Sequence, residues 1–82
     1  MESYRTVIHS PRFETESANL LGESKDAYLE ALDWAIASRP ERGQITDSST
    51  IRAIPSSNGK FVFYYSYNQD EATLLSVKKS QK

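Results

Sequence analysis

Four cationic side chains in the second half of the chain have the chemistry needed to bind phosphate groups. Guanidinium and ammonium groups attract anions and can stabilise the negative charge that develops on a reacting phosphate. Ordinary strand ends and turns carry the same residue types, because Lys and Arg side chains are mostly exposed. The sequence therefore leaves two interpretations open, a phosphate-binding surface and a set of solvated charges, for Arg52, Lys60, Lys78 and Lys79.

The single histidine, His9, is the other residue with catalytic chemistry. Its imidazole titrates near pH 6.5 when unperturbed and could act as a general base. No residue near it in the sequence supplies an obvious partner, so a surface histidine at a strand end is the favoured interpretation. The chain has no cysteine, and no cluster of ligand-type residues indicates a metal. We therefore predict neither a metal nor a cofactor.

The chain is short, and its composition is that of a globular protein. It has 82 residues, of which 38% are hydrophobic and 26% charged, so we expect one domain over residues 1–82 with a small core. No apolar stretch is long enough to span a bilayer, and residues 1–4 lack the features of a signal peptide. The absence of cysteine suits a reducing compartment. These features predict a cytoplasmic protein with no membrane association.

Charge is distributed unevenly along the chain although its net value is only −1. Residues 1–41 have a net charge of −4 and residues 42–82 a net charge of +3. Any cationic surface is therefore expected in the C-terminal half. Such a surface could face a polyanion, and a solvated surface with uneven charge is the simpler interpretation.

Local patterns predict two helices after a first strand over residues 4–9. Ser10 can cap a helix that starts at Pro11 and ends near Gly22. A second helix follows Ser24, another cap candidate, and ends before Pro40. Its apolar residues recur at three-and-four spacing, which places Glu30 and Asp33 on the solvent side. Residues 11–38 are therefore predicted to form a helical hairpin.

The C-terminal half is predicted to be sheet. Residues 41–49 indicate a polar loop, and strands are predicted over 50–54, 60–67 and 72–77. Asn58-Gly59 gives the turn of a hairpin between the first two. The element order is β-α-α-β-β-β, an α+β fold with the helical hairpin packed on a small antiparallel sheet.

Aromatic residues alternate along the strand over 60–67. One row points to one side of the sheet, and it consists of Phe61, Phe63, Tyr65 and Tyr67. This row could stack on nucleic-acid bases. A domain this small needs those rings for its core, so packing beneath the helices is the favoured interpretation.

With these elements, the sequence resembles the RelE/ParE superfamily of toxins from bacterial type II toxin–antitoxin systems. The resemblance runs nearly from end to end. It is carried by YRTVIHSPRFE at 4–14, ALDWA at 31–35, RPERG at 39–43, IRAI at 51–54, GKFVFYY at 59–65 and LLSVKK at 74–79. These patterns belong to the framework of the family. They imply a RelE/ParE-like fold and a cognate antitoxin as partner.

Some members of the superfamily cut messenger RNA on the ribosome with basic residues on these strands. By resemblance, Arg52 and Lys79 match such positions and are the catalytic candidates, with Lys60 and Lys78 as RNA-binding residues. The family usually has an arginine where this chain has Phe61, and many relatives continue into a tail with a catalytic tyrosine. The resemblance thus implies a metal-independent endoribonuclease that inhibits translation, with an incomplete catalytic set.

Two alternatives follow from the same resemblance. In the ParE-like branch the domain inhibits a target such as DNA gyrase by contact alone, and Trp34 on the helical hairpin would then belong to the contact surface. Trp34 could equally be part of the packing between the helices. The other alternative is a degenerate, non-toxic relative that only binds an antitoxin.

Overall fold

The computed structural model describes residues 6–48, 50–56 and 58–80. The fold is α+β, with two helices and a five-stranded sheet. The helices are α1 (Pro11–Leu21) and α2 (Lys25–Ser38), joined by a 3-10 turn over Gly22–Ser24. The strands are β1 (Thr6–His9), β2 (Gln44–Ile45), β3 (Arg52–Pro55), β4 (Phe61–Tyr67) and β5 (Glu71–Lys79). A second 3-10 turn, Pro40–Arg42, precedes β2.

Local sequence explains how α1 begins and ends. The Ser10 hydroxyl accepts a hydrogen bond from the Phe13 amide at 3.1 Å, and Pro11 occupies the first helical position, where its missing N–H costs nothing. Gly22 follows the last turn. The predicted start and end of α1 are confirmed.

The second helix has the predicted extent, but its cap differs from the prediction. Ser24 stands before the first turn of α2, yet its side chain makes no capping hydrogen bond. The buried residues of α2 are Leu29, Leu32 and Ile36, which is the stripe that the three-and-four spacing indicates. No side-chain cap therefore marks the start of α2. The helix follows directly on the 3-10 turn, and the buried stripe packs it in place.

The sheet is mixed, whereas the sequence predicted an antiparallel one. Its strand order is β1-β5-β4-β3-β2. β1 lies parallel to β5, with Thr6 opposite Glu71 and His9 opposite Leu74, and the other pairs are antiparallel. Both helices and strands β2 to β4 lie between β1 and β5 in the chain, so the connection is long enough for the crossover that parallel neighbours need. The sequence pattern could not show this partner choice.

A further strand lies in the segment that was predicted to be loop. Gln44 and Ile45 pair with Ala53 and Arg52 at the edge of the sheet. Two residues are too few to produce an alternation that sequence reading detects. The predicted hairpin between β3 and β4 is confirmed, and Gly59 has φ of +75° in its turn, a conformation that glycine adopts without strain.

The core lies between the helices and one face of the sheet. The aromatic row of β4 supplies its centre, with Phe63 and Tyr65 almost fully buried and Phe61 and Tyr67 packed at its margins. The Phe13 ring of α1 meets Phe63 at a centroid distance of 6.3 Å. The prediction that this row packs beneath the helices is confirmed.

Candidate functional site

The register of β4 and β5 assigns the candidate residues to two faces. Phe61 is opposite Lys79, and Val62 is opposite Lys78. Neighbours across a sheet share a face, so Lys79 lies on the face that carries the aromatic row, here called the core face. Lys78 lies on the other side, called the open face, with Val62 and Tyr64. Two adjacent lysines of the sequence therefore point in opposite directions.

Arg52 lies on the core face and is held by backbone carbonyls. It pairs with Tyr65 across the β3–β4 ladder. Its Nη1 donates to the Gly43 carbonyl at 2.7 Å and to the Glu41 carbonyl at 3.1 Å. The guanidinium also lies 5.5 Å from the centre of the Tyr67 ring, a cation–π distance. In this arrangement the Arg52 cation fixes the segment between α2 and β2.

Tyr65 fixes the same segment from inside the core. Its hydroxyl donates to the Pro40 carbonyl and accepts from the Gly43 amide at 3.0 Å. Burial is the main reason that the pKa of the Tyr65 phenol is raised, with smaller opposing effects from its hydrogen bond to Gly43 and from the Arg52 charge. The phenol therefore stays protonated and keeps donating. These bonds from Tyr65 and Arg52 to residues 40–43 are called the 40–43 clamp.

The structure does not bring the two catalytic candidates together. Arg52 is opposite Tyr65, whereas Lys79 is opposite Phe61. The two positions are separated by about 13 Å of strand. Lys79 is exposed, so any joint contact of Arg52 and Lys79 requires a ligand that spans this length.

The open face contains a shallow cavity of about 560 Å³. We call it the open-face cleft. Its lining combines apolar side chains, hydroxyl groups and two cations, and consists of Ser10, Arg12, Thr46, Ile51, Tyr64, Leu75, Ser76 and Lys78. Leu75 reaches it from the β-bulge opposite Tyr64 and Tyr65. Lys60 is exposed just before β4, and its carbonyl accepts from the Ser80 amide at 2.9 Å. Of the candidates from the sequence, only Lys78 lines this cleft.

Arg12 and Tyr64 are cleft residues that the sequence did not single out. Arg12 lies in the first turn of α1, and Tyr64 lies in the middle of β4. The alternation of β4 did place Tyr64 opposite Phe63 and Tyr65. The sequence could not predict that the first turn of α1 lies close to the middle of β5, which is what brings Arg12 to the cleft.

Glu16 connects α1 to β5 beside the cleft. One carboxylate oxygen accepts from the Ser76 hydroxyl at 2.6 Å and from the Val77 amide at 3.1 Å, and the other accepts from Arg12 Nε at 3.1 Å. The hydrogen bond from Ser76 is the largest cause that lowers the pKa of Glu16 from 4.5; burial opposes it, and Val77 and Arg12 add to it. The carboxylate therefore stabilises the junction in its charged form.

The lowered pKa of Glu16 predicts a loss of stability in acid. Because the folded-state pKa lies below the unfolded value, this contribution is fully present above about pH 4.5 and disappears as the pH falls through the folded pKa. We expect Glu16→Gln to lower the free energy of unfolding by about 1 kcal/mol at pH 7. The deficit should shrink below pH 4.5. Urea denaturation over this pH range, compared with the exposed Glu14→Gln, measures it; a deficit independent of pH would contradict the prediction.

His9 has a partner that the sequence did not reveal. Its Nε2 lies 3.1 Å from both carboxylate oxygens of Asp33, and its ring packs against Phe13 at a centroid distance of 5.3 Å. Asp33 is partly exposed, as its predicted place on the solvent side of α2 requires, but its carboxylate also lies against the end of β1. The His9–Asp33 pair links β1 to α2, and both side chains are partly exposed.

A second cavity lies between α2 and the β3–β4 hairpin. This groove of about 490 Å³ is called the helix–strand groove. Ala27, Ala31 and Ala35 form its helical wall, and Ile54 and Phe63 are among its other lining residues. The Tyr28 hydroxyl accepts from the Asn58 side-chain amide across one end. Arg42, Ser24, Ser56 and Asn58 also line it, so the groove is mainly apolar, with a few polar groups and one cationic residue.

Trp34 is exposed on the outer side of α2. Its exposed fraction is 66%, the largest among the big hydrophobic residues of the described ranges. Packing between the helices is therefore the wrong interpretation of Trp34. Residues seven apart share a helix face, so Trp34 lies on the same face of α2 as Ala27, which lines the helix–strand groove, although Trp34 itself does not line it.

Within residues 6–48, 50–56 and 58–80, no helix is long and apolar enough to cross a membrane. No group of three or more His, Cys, Asp or Glu residues in these ranges could hold a metal ion.

Comparison with known proteins shows a fold and no sequence relative. No protein-family model matches the chain, and no curated protein matches it. A chain of a solved structure described as the chromosomal ParDE TA system from P. aeruginosa is similar, with a TM-score of 0.72 and 9% sequence identity. The match covers 95% of this chain and 98% of that chain. At this identity the likeness shows the fold alone, and it is the ParE/RelE-like fold that the sequence resemblance implied.

Proposed function

We propose that this protein is a RelE/ParE-like toxin domain that pairs with an antitoxin and inhibits its target by contact in the cytoplasm. The observation that carries the proposal is the exposed Trp34 on α2, the helix that forms one wall of the helix–strand groove. It occurs on a fold shared with a chain of a ParDE TA system. An exposed tryptophan beside an apolar groove is typical of a protein-binding surface.

The groove has the dimensions and chemistry for a helical segment of a partner. Ala27, Ala31 and Ala35 allow a second helix to approach α2 closely, and the partly exposed Ile54 offers apolar surface to that helix. Arg42 would pair with an acidic side chain of the partner. We infer that the antitoxin covers this groove and Trp34, and thereby blocks the surface that contacts the target.

The contact mechanism is favoured over RNA cleavage by the state of Arg52. Its guanidinium is committed to the carbonyls of Glu41 and Gly43, and Lys79 lies far along the core face. A contact inhibitor needs neither cation for chemistry. DNA gyrase is the kind of target that the ParE-like branch suggests.

Induction of the chain in a bacterial host tests the proposal. We expect growth to stop and plasmid supercoiling to change before amino-acid incorporation falls, because the target is not the ribosome. Trp34→Ser should relieve growth arrest at least tenfold in surviving cells, since exposed aromatic anchors dominate contact surfaces. The matched control is Ile45→Ser, which removes a similarly exposed apolar side chain, 63% accessible, from the sheet edge. Equal arrest by both variants would contradict the role of Trp34.

Endoribonuclease activity is the second candidate function. The positions of Lys60 and Lys78 support it. Lys78 lines the open-face cleft and Lys60 is exposed just before β4, so both could bind messenger RNA on the ribosome, whereas Arg52 and Lys79 would supply charge from the core face. This candidate predicts a prompt fall in amino-acid incorporation that Lys79→Glu abolishes. Lys79 is the informative position because Arg52→Glu would break the 40–43 clamp. A folded chain that affects neither process would instead support the non-toxic relative that only binds an antitoxin.

A further inference from the structure

The turn between β3 and β4 contains the only Asn-Gly pair of the sequence, Asn58-Gly59. Asparagine is a chemically labile residue, because the backbone nitrogen of the next residue can attack its side-chain amide. A side chain on that next residue hinders the attack. Gly59 has none, and no atom lies within 4 Å of its β-carbon position. Asn58 is exposed, so solvent water reaches the reacting atoms.

The reaction available to Asn58 is a ring closure followed by a hydrolysis. The Gly59 amide gives its proton to solvent, and its nitrogen forms a bond to Cγ of Asn58. The bond between Cγ and Nδ2 breaks, and Nδ2 leaves as ammonia with a proton taken from solvent. Water then opens the five-membered imide at either of its carbonyl groups, which leaves an aspartate or an isoaspartate. No group is oxidised or reduced, and water is the co-reactant.

The native turn holds both of the groups that must react. The Asn58 Oδ1 accepts from the Ser56 hydroxyl at 2.7 Å and from the Lys60 amide at 3.0 Å. The Asn58 Nδ2 donates to the Tyr28 hydroxyl. The attacking group, the Gly59 amide, donates to the Ser56 carbonyl at 3.0 Å. Ring closure therefore requires a local opening in which these bonds are broken.

Tyr28 supplies the bond that ties this turn to α2. The other bonds of Asn58 stay within the turn, whereas Tyr28 is 30 positions away in the sequence. The Tyr28 ring is partly buried and meets the Phe61 ring edge-on at a centroid distance of 5.5 Å. This packing fixes the position of the hydroxyl. Tyr28 therefore acts as a positioning residue, which keeps the Asn58 carboxamide turned towards the helix.

We propose that Asn58 is a site of spontaneous deamidation and that Tyr28 limits its rate by holding the side-chain amide. The product carboxylate has no N–H to donate to Tyr28. It also adds a negative charge to the helix–strand groove, where Arg42 is the only charged residue among the described lining residues. An isoaspartate further lengthens the turn, whose length sets the register of the hairpin. The inference does not depend on the contact mechanism or on RNA cleavage.

Incubation of the purified chain in mildly alkaline buffer tests the proposal. Trypsin cuts after Arg52 and Lys60 and releases residues 53–60 as one peptide, in which mass spectrometry measures conversion of the Asn58 amide to an acid. Chromatography separates the aspartate and isoaspartate forms. We expect Tyr28→Phe to accelerate conversion about two- to tenfold, because one hydrogen bond that opposes opening is lost. The matched control is Tyr64→Phe, which removes the same atom from the open face and should leave the rate unchanged.

Two further comparisons separate control by the fold from intrinsic reactivity. In urea the unaltered chain and Tyr28→Phe should react at the same rate, which should exceed the rate of the folded unaltered chain. Asn68 is an internal standard, since its Oδ1 also accepts two backbone amides, both at 2.8 Å, but Gln69 follows it. It should stay unmodified over the time in which half of Asn58 reacts. Urea midpoints show that each variant is folded during the incubation.

Four results would overturn the proposal. The first is an unmodified Asn58 in the unfolded chain, which would exclude the site itself. The second is an equal rate in the folded and the unfolded chain, which would show that the native bonds do not control the reaction. The third is an unchanged or slower reaction in folded Tyr28→Phe. The fourth is an equal acceleration by Tyr64→Phe, which would indicate general loosening of the fold instead of release by Tyr28.

Discussion

Tyr65→Phe is expected to lower the free energy of unfolding by about 2–5 kcal/mol. The substitution removes one oxygen atom and keeps the packing of the ring. It leaves the Pro40 carbonyl without its donor and the Gly43 amide without its acceptor, in a site from which water is excluded. An unsatisfied buried group costs about 1–3 kcal/mol. A chain of this size has a total stability of about 4–12 kcal/mol, so this change removes a large share of it.

Urea denaturation followed by tryptophan fluorescence measures the effect of Tyr65→Phe. The matched control is Tyr64→Phe, which removes the same atom from the neighbouring residue on the open face and should change stability by less than about 0.5 kcal/mol. The dependence on urea should keep its slope in both variants. Equal stability of the two variants would show that the 40–43 clamp does not hold the fold.

Gly43→Ala has the second largest expected effect, for a steric reason. A β-carbon at this position would lie 3.0 Å from two carbons of the Tyr65 ring and closer still to its hydroxyl. The backbone itself allows alanine, with φ of −69° and ψ of 153°. The cost is therefore overpacking, about 1–3 kcal/mol, together with weaker bonds in the clamp. We expect a clear loss of stability with no backbone strain.

A double-mutant cycle isolates this contact. Combined with Tyr65→Phe, Gly43→Ala should cost at least 1 kcal/mol less than it does alone, because the hydroxyl in its way is gone. Gly59→Ala is the control, since no atom lies within 4 Å of its β-carbon position and its cost comes from the positive φ. The Gly59 and Tyr65 effects should simply add. Additive effects for Gly43 and Tyr65 would contradict the proposed collision.

Local chemistry made the helices and the central hairpin predictable. Ser10 and Pro11 specify the start of α1 with neighbouring atoms alone. Asn58-Gly59 specifies a turn, and the alternation of β4 specifies which rings are buried. Each of these features depends on residues close in the sequence, where periodicity and turn propensity carry the information.

Long-range partners were not predictable from one sequence. The carbonyls that hold Arg52, the carboxylate beside His9 and the place of β1 next to β5 all depend on how distant elements meet. Arg52 was left open between a phosphate-binding residue and a solvated charge, because a lone arginine on a strand gives no sign of its acceptors. Asp33 was predicted to face solvent because helical periodicity shows which side of α2 faces the core. It does not show which other elements lie beside the helix.

The candidate binding surfaces also depend on contacts between distant parts of the chain. Lys78 and Lys79 are adjacent, and alternation alone separates them onto two faces. Which face stays uncovered depends on where both helices pack. Trp34 likewise needed the structure, since only its exposure excludes packing between the helices. The 40–43 clamp was invisible because Tyr65 and Gly43 meet only in the folded chain.

The parallel pairing of β1 with β5 has a consequence for synthesis on the ribosome. The first strand that the structure describes finds its neighbour only in the last one. While β5 is still inside the exit tunnel, β1 has no partner and the α1 start cannot reach Leu74 and Leu75. Closing such a long loop is slow and comes late. We therefore expect a nascent chain that lacks β5 to be degraded readily, and both candidate binding surfaces to mature together once β5 has left the tunnel.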